Sequence, residues 1–281
     1  MDNNINGRDP AINDRDPVMS TQKKFRKEIW TPFVSAVKEY ELIKEGDRIA
    51  VCMSGGKDSA LLGVLMKMLH RWSDFPFELE FIAMDPGYNP DNRAKLIANC
   101  ERLELPIHLF ETNIFSVTSK TEKNPCYLCA RMRRGHLYSF AKSLGCNKIA
   151  LGHHFSDVIE TTLMGMLWGA QIQGMLPKLH STNYEGMELI RPLYKVHEDA
   201  IIAWANYNGL SFLQCACIMT ERAQVDENAS KRRETKALIR ELKKTNPDVE
   251  KNIFNSIHRA NIDTLVSYKL HDEMHSFLEE F

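Results

Sequence analysis

The stretch "VCMSGGKDSALLGVLMKML", Val51 to Leu69, decides how the rest of the chain is read. It opens as the end of a short apolar run, "DRIAVCMS" (Asp47 to Ser54), bounded by Gly46 and Gly55, which predicts a strand. From Asp58 onward the apolar residues recur at three and four spacing, which predicts a helix. Between them stand Gly55, Gly56 and Lys57. A strand, a tight glycine turn and a helix start place backbone N–H groups around a small concavity, and the helix dipole adds partial positive charge there. Gly55 and Gly56 let the backbone approach a phosphate without a Cβ in the way. Lys57 adds a point charge, and Ser54 and Ser59 add hydroxyls. Asp58 fits an anion site only if a divalent cation stands between it and the phosphates. The spacing differs from the G-x-x-x-x-G-K-[ST] loop of most ATPases.

The same alternation continues outward. "FELEFIAMD" (Phe77 to Asp85), "LPIHLFET" and "NKIALGHH" read as strands. Pro90 to Leu103, the segment "YLCARMRRGHLYSFAKSLG" and the segment "SDVIETTLMGMLWG" read as helices. Strand and helix alternating at this spacing predict an α/β fold, a doubly wound parallel sheet with helices on both faces. Ligands of such sheets bind beyond the carboxyl ends of the strands. "SGGKDS", "MDPGY" and "GHHFSD" all fall there, and "CYLC" follows another strand. At the ends, Thr21 to about Tyr40 predicts one amphipathic helix. Gly169 to Glu188 reads as loop, "HEDAIIAWANYNGL" as a helix, "SFLQCACIM" as a short strand or turn, and the chain from Glu221 as charged and helical. Met1 to about Ser20 is expected to be a flexible tail.

Composition excludes several classes. With 43% apolar and 26% charged residues the 281-residue chain is an ordinary globular protein. No apolar run approaches the ~20 residues of a membrane span, and no leader-like segment opens the sequence, so a cytoplasmic location is expected. Net charge is −1, yet basic residues cluster in "KKFRK", "ARMRRG" and "SKRRETKALIRELKK", which is compatible with solvated helix faces or with a polyanionic partner. Seven cysteines, an odd number, argue against a disulfide framework. Cys52, Cys100 and Cys146 read as buried small apolar residues. Cys126 and Cys129 stand two residues apart after Pro125, and Cys215 and Cys217 lie far downstream. Two thiolates at that first spacing reach one metal or cluster, and nearby Arg131, Arg133 and Arg134 favour thiolate. Structural zinc, a redox dithiol and an iron–sulfur cluster all remain open on the cysteines alone.

The S-G-G-K-D-S motif resembles the pyrophosphate loop of the PP-loop ATPases, which cleave ATP between the α- and β-phosphates. The ordered series of "SGGKDS", the C-x-x-C with "RMRRG", "IALGHH", "GMLPKL" (Gly174 to Leu179), "IRPL" (Ile190 to Leu193) and a late cysteine resembles the tRNA 2-thiocytidine synthetase family, across roughly Lys23 to Ser267. The resemblance implies a PP-loop, adenine nucleotide α-hydrolase-like fold with helical N- and C-terminal extensions. It divides the chain into a tail (1–20), a catalytic domain (21–220) and a C-terminal extension (221–281). It implies ATP-dependent sulfur transfer to a tRNA pyrimidine, most closely cytidine in the anticodon loop. AMP would be transferred to the 2-oxo oxygen and then displaced by sulfur.

Carried onto this chain, Ser54, Gly55, Gly56, Lys57, Asp58 and Ser59 would hold ATP, joined by Met84, Gly152 and His153. Lys57, Asp58 and Asp157 would act in catalysis, with Asp58 on Mg²⁺. Cys126 and Cys129 would bind a [4Fe–4S] cluster, with Cys217 or, alternatively, Cys215 as third ligand and the fourth iron open. Arg131, Arg134 and Lys178 would contact tRNA. A sulfide or persulfide donor such as a cysteine desulfurase and a homodimer are further implied partners. The chain departs from the family in its C-A-C pair and in Ser156, where the family often carries an acid. A tRNA 5-methyluridine thiolase, a small-molecule sulfur transferase and a zinc-stabilised RNA-binding protein are the alternative readings.

Overall fold

The computed structural model describes residues 15–118, 125–213 and 227–280. These residues belong to two compact units, one comprising Met1–Asp157 and Leu176–Ala229, the other Val158–Met175 and Ser230–Phe281.

The first unit is built on a six-stranded sheet of β1 (Arg48–Met53), β2 (Glu78–Asp85), β3 (Ile107–Glu111), β4 (Lys148–Ala150), β5 (Lys178–His180) and β6 (Glu188–Ile190), in the order β3-β2-β1-β4-β6-β5. All neighbours run parallel except β5, which is antiparallel to β6 at the edge. Helices α3 (Lys57–Trp72), α4 (Pro90–Arg102), α5 (Ile114–Thr118), α6 (Pro125–Ser143) and α8 (Glu198–Tyr207) connect and cover the strands. Side chains alternate across a strand, and β1 uses both faces. Ile49, Val51 and Met53 enter one core with α3, α4 and α8, while Ala50 and Cys52 enter a second with Tyr138 and Ala141 of α6. That two-sided burial is why β1 reads as a near-continuous apolar run.

Helix α3 buries Leu61, Leu62, Val64, Leu65, Met66 and Met68. Each such side chain is worth about 1.5–3 kcal/mol when fully buried, so both elements flanking the glycine turn are firmly held. At the amino ends of the strands, the buried Lys148 ammonium lies 2.8 Å from Asp47 and 3.1 Å from Glu188. That edge of the sheet spends its charges on structure. The carboxyl ends are left for ligands, and the strand order turns between β1 and β4, the position where doubly wound sheets bind.

The amino-terminal helix is not continuous. The chain forms α1 (Pro17–Gln22), a π-type turn (Arg26–Trp30) and α2 (Thr31–Glu39). The break falls at Lys23–Phe25; Pro32, the second residue of α2, has no N–H to donate to the preceding turn, and the Thr31 N–H bonds to the Arg26 carbonyl five residues back, which gives the π-type turn. Helix α1 also begins earlier than the periodicity suggested. Asp16 caps it by accepting from the Val18 and Met19 N–H groups, and Ser20 and Thr21 are buried. The segment read as loop after Gly169 contains β5.

The second unit holds most of α7 (Phe155–Gly169), with α9 (Glu227–Thr245), α10 (Val249–Ser256) and a hairpin of β7 (Ser267–Leu270) and β8 (Glu273–Ser276). The hairpin is an addition to the helical extension expected there. The buried Glu160 of α7 is approached by Arg232 at 3.4 Å and Lys236 at 4.0 Å from α9. No helix among the described residues is long and apolar enough to cross a membrane.

Candidate active site

Three strand ends build the site. After β1, residues 54–56 turn sharply into α3, with Gly55 at φ +81°. The loop is knitted by its own hydroxyls. Ser59 Oγ donates to the Gly56 carbonyl at 3.0 Å and accepts from the Ser54 N–H at 3.1 Å, and the two hydroxyls lie 3.1 Å apart. The serines thus shape the turn. Gly56 occupies the N-cap of α3 and offers no side-chain cap. The first N–H groups of a helix have no intrahelical partner, so they and the dipole face outward as an anion cradle.

Lys57 stands at the head of α3. Its Nζ lies 3.1 Å from Asp58 Oδ1 and 3.2 Å from Glu198 Oε1. Burial pulls the Lys57 pKa down, but Asp58 and Glu198 outweigh it and hold the ammonium above the ordinary lysine value. Glu198 opens α8 and was not singled out in the sequence. Its position at a helix start after "YKVH" carries no motif, and only the fold brings it to Lys57. Its backbone N–H donates to Ser156 Oγ at 3.3 Å, so the serine of "GHHFSD" holds the start of α8.

After β4, Gly152 runs hard against the head of α3. A Cβ there would lie 3.0 Å from the Ser59 nitrogen and 3.1 Å from the Asp58 carbonyl carbon. After β2, Asp85 accepts from the Gly87 and Tyr88 N–H groups at 2.9 and 2.7 Å and so closes the "MDPGY" turn. Tyr88 then reaches the Ser54 carbonyl at 3.4 Å.

These ends enclose a cavity of about 270 Å³. Ser54, Asp58, Ser59, Met84, Gly152, His153 and Asp157 line it, all anticipated from the sequence. Arg133 and Leu137 of α6 line it too. The Arg133 guanidinium lies 5.4 Å from the centroid of the Phe115 ring, and its buried Nε has no hydrogen-bond partner. Arg133 was noted in the sequence only as a charge near the thiols. Its cavity position follows from helical spacing, since 129, 133 and 137 share a face of α6.

Cys129 sits on that face. It is half-buried, carries a free thiol, and packs with Tyr88, Met132 and Leu137 on the cluster of Met84, Ile114 and Phe115. Met84, Tyr88 and Leu137 are also cavity walls. Cys126 lies one turn earlier in the same helix. Cys215 and Cys217 fall outside the described residues. The chain leading to them is anchored at the loop, because the Leu213 N–H donates to the Gly55 carbonyl at 3.2 Å. Among the described residues no three His, Cys, Asp or Glu side chains form a metal-holding group.

Arg131 and Arg134 are exposed on α6 and do not line the cavity. Lys178, in β5, donates to the Glu41 carbonyl at 3.1 Å. Behind the rim, Arg191 of the "IRPL" segment donates to the Leu176 carbonyl. Burial lowers its pKa to about 10, so it stays a cation.

Residues 22–222 match the model of the PP-loop domain. The chain is 36% identical over 239 residues to the tRNA-cytidine(32) 2-sulfurtransferase of Geobacter sulfurreducens, covering 84% of this chain and 90% of that one. It is 32% identical over 264 residues to the tRNA-cytidine(32) 2-sulfurtransferase of Pelobacter propionicus, covering 91% and 96%. Among solved structures, the U34-tRNA thiolase NcsA from Methanococcus maripaludis with its [4Fe-4S] cluster superposes with a TM-score of 0.63 at 20% identity, covering 86% of this chain and 81% of that one. That likeness concerns the fold.

Proposed function

We propose, from the fact that the chain belongs to the PP-loop domain family and to its tRNA 2-thiocytidine synthetase branch, that it is an ATP-dependent tRNA sulfurtransferase. Its substrate is a tRNA pyrimidine, cytidine in the anticodon loop, as in the relatives named for cytidine 32. The base's 2-oxo oxygen attacks the α-phosphorus of ATP, and pyrophosphate leaves. Sulfur then bonds to the activated carbon, the C–O bond breaks, and AMP departs with the oxygen. The sulfur comes from sulfide, or from a persulfide donor such as a cysteine desulfurase once a two-electron thiol reductant has released its terminal sulfur as sulfide. On this reading the protein meets its tRNA in the cytoplasm.

The residues present fit each group. The uncapped head of α3 and the Lys57 ammonium suit the pyrophosphate. Asp58, whose buried Oδ1 accepts no hydrogen bond, suits Mg²⁺ bound to the phosphates. Arg133 brings a guanidinium to the wall between ATP and the thiols, where the leaving AMP needs a counter-charge. Cys126, Cys129 and one of Cys217 and Cys215 would hold a [4Fe–4S] cluster. Cys215 and Cys217 follow Leu213 by two and four residues in sequence, and Leu213 is tied to the loop. Such a cluster supplies sulfide in reactive form while keeping it from water. The target base must leave its stack to enter the cavity. Arg131, Arg134 and Lys178 then meet backbone phosphates outside it.

One observation carries the reading: Arg133 and Leu137, on the Cys129 face of α6, line the same cavity as Ser54, Asp58 and Ser59. The test is anaerobic purification with metal analysis. A brown protein with about four irons per chain, lost on Cys129→Ala, supports the proposal. A colourless protein with one tightly held zinc supports the scaffold reading instead.

A further inference from the structure

The second histidine of "GHHFSD" does something its sequence position does not announce. His154 is buried and precedes the first residue of α7. Its backbone N–H donates to Asp157 Oδ2 at 3.0 Å, and the Asp157 N–H donates back to His154 Nδ1 at 3.3 Å. This is a reciprocal capping box, with histidine in the place usually held by serine or threonine and aspartate in the place usually held by glutamate. Only an unprotonated nitrogen accepts a hydrogen bond. A proton on Nδ1 would instead face Asp157 Oδ2 at 3.4 Å, but it would forfeit the Asp157 N–H bond that closes the cap, a bond that an N–H in the first turn of a helix cannot replace within the helix. The cap therefore fixes the tautomer, and the ring hydrogen sits on Nε2.

Nε2 lies 3.7 Å from Asp58 Oδ1, a buried oxygen with no aligned hydrogen-bond donor whose near neighbour is the Lys57 ammonium, 3.1 Å away and straddling both carboxylate oxygens. The other oxygen, Oδ2, accepts from Lys57 Nζ at 3.2 Å, and Lys57 is held by Glu198, whose N–H is held by Ser156 of the same α7 turn. Asp58 is thus approached from both sides by groups that the start of α7 fixes. We infer that His154 is a positioning residue: its Nε2–H orients the Asp58 carboxylate for a magnesium–nucleotide ligand, closing from 3.7 Å to hydrogen-bond length as the site fills. Such contacts are commonly long before substrate binds. The inference rests on the ATP-dependent reading of the site for its ligand.

The test separates the two ring nitrogens. Glutamine can present an amide N–H where Nε2 stands but does not reproduce the cap, whereas asparagine can cap at the Nδ1 position but falls short of Asp58. Calorimetric titration with Mg²⁺ and ATP, and tRNA thiolation turnover, are measured for the unmodified protein and both variants. His154→Asn weakens magnesium-dependent ATP binding by about tenfold to a hundredfold, the range for a hydrogen bond to a charged group. His154→Gln recovers most of that loss. In a cycle with Asp58→Asn, adding His154→Asn costs less than about twofold more, because the histidine acts through that carboxylate. Equal losses in both variants, no loss in either, or additive losses in the cycle overturn the inference. Long-range ¹H–¹⁵N spectra of the unmodified protein give a check that needs no variant to fold: an Nε2–H tautomer at His154 is expected, and an Nδ1–H tautomer overturns it. Failure of the unmodified chain to bind ATP with magnesium is a different result, and it defeats the sulfurtransferase reading itself.

Discussion

Gly55 and Gly56 are adjacent in one loop, yet replacing the first with alanine should destabilise the protein and replacing the second should not. Gly55 has φ +81°, and a Cβ built on it meets Leu213 Cδ1 at 2.5 Å and Cγ at 3.1 Å. An L-residue in the left-handed region costs about 1–2 kcal/mol. Displacing Leu213 adds about 1–2 kcal/mol more, since its backbone is tied to the Gly55 carbonyl. Removing glycine freedom from the unfolded chain returns about 0.4–1 kcal/mol, leaving a net loss of about 1–3.5 kcal/mol. At about 2–4 °C per kcal/mol, the melting midpoint falls by several degrees, about 7 °C at the centre of that range. Gly56 has φ −87° and ψ 165°, open to any residue, and its Cβ would find nothing nearer than Ser54 Oγ at 3.6 Å. Gly56→Ala should therefore melt within about 1–2 °C of the unmodified protein. Thermal unfolding followed by circular dichroism reads both. A Gly55→Ala protein as stable as the parent, or two variants falling equally, would refute the loop geometry argued above.

Further outcomes follow from the same site. Gly152→Ala forces backbone away from backbone at the head of α3, so the apparent affinity for ATP falls at least about tenfold while secondary structure content stays unchanged by circular dichroism. For Lys57, whose folded pKa is raised, the stabilisation from its carboxylate partners is fully present below the unfolded value of about 10.4 and is lost as pH rises through the folded one. Denaturant midpoints of the parent and Lys57→Met should therefore differ by a constant amount between about pH 6 and 9, the gap narrowing only above about 10.4; narrowing below pH 9 would contradict the ion pair. Burial pushes the Cys52 thiol up to about 12 and those of Cys100 and Cys146 up to about 11. In cluster-free protein, alkylation at about pH 8 read by mass spectrometry should mark Cys129 well before these three.

The sheet was legible because β1, β2 and β4 are apolar runs ending in glycine or proline punctuation, each followed by a helix with its own period. Its rim was legible too, since "SGGKDS", "MDPGY" and "GHHFSD" carry polar residues at strand ends, and seven anticipated residues line the cavity. Partners that meet only through topology were not legible. Glu198 lies far from Lys57 in sequence, and nothing near it marks it as a site residue. Arg133 was one of three similar arginines until the face shared with Cys129 and Leu137 separated it from exposed Arg131 and Arg134. The break in the first helix falls at Lys23–Phe25, which holds neither proline nor glycine, and the apolar period on either side hid it. The C-terminal hairpin has short strands of mixed polarity, with no alternation to announce them. The choice between Cys215 and Cys217 concerns residues outside those described, and only substitution of each in turn separates them.

The account rests on one shared cavity performing ATP-driven thiolation, and nucleoside mass spectrometry tests this most directly. The anaerobically reconstituted protein is incubated with tRNA lacking thiolated bases, Mg²⁺, ATP and sulfide, and the digested tRNA is analysed. The account predicts 2-thiocytidine, about one AMP released per sulfur gained, and neither product in Lys57→Met or Cys129→Ala. Unchanged cytidine with a fully loaded cluster, or thiolation that proceeds without ATP, would contradict it.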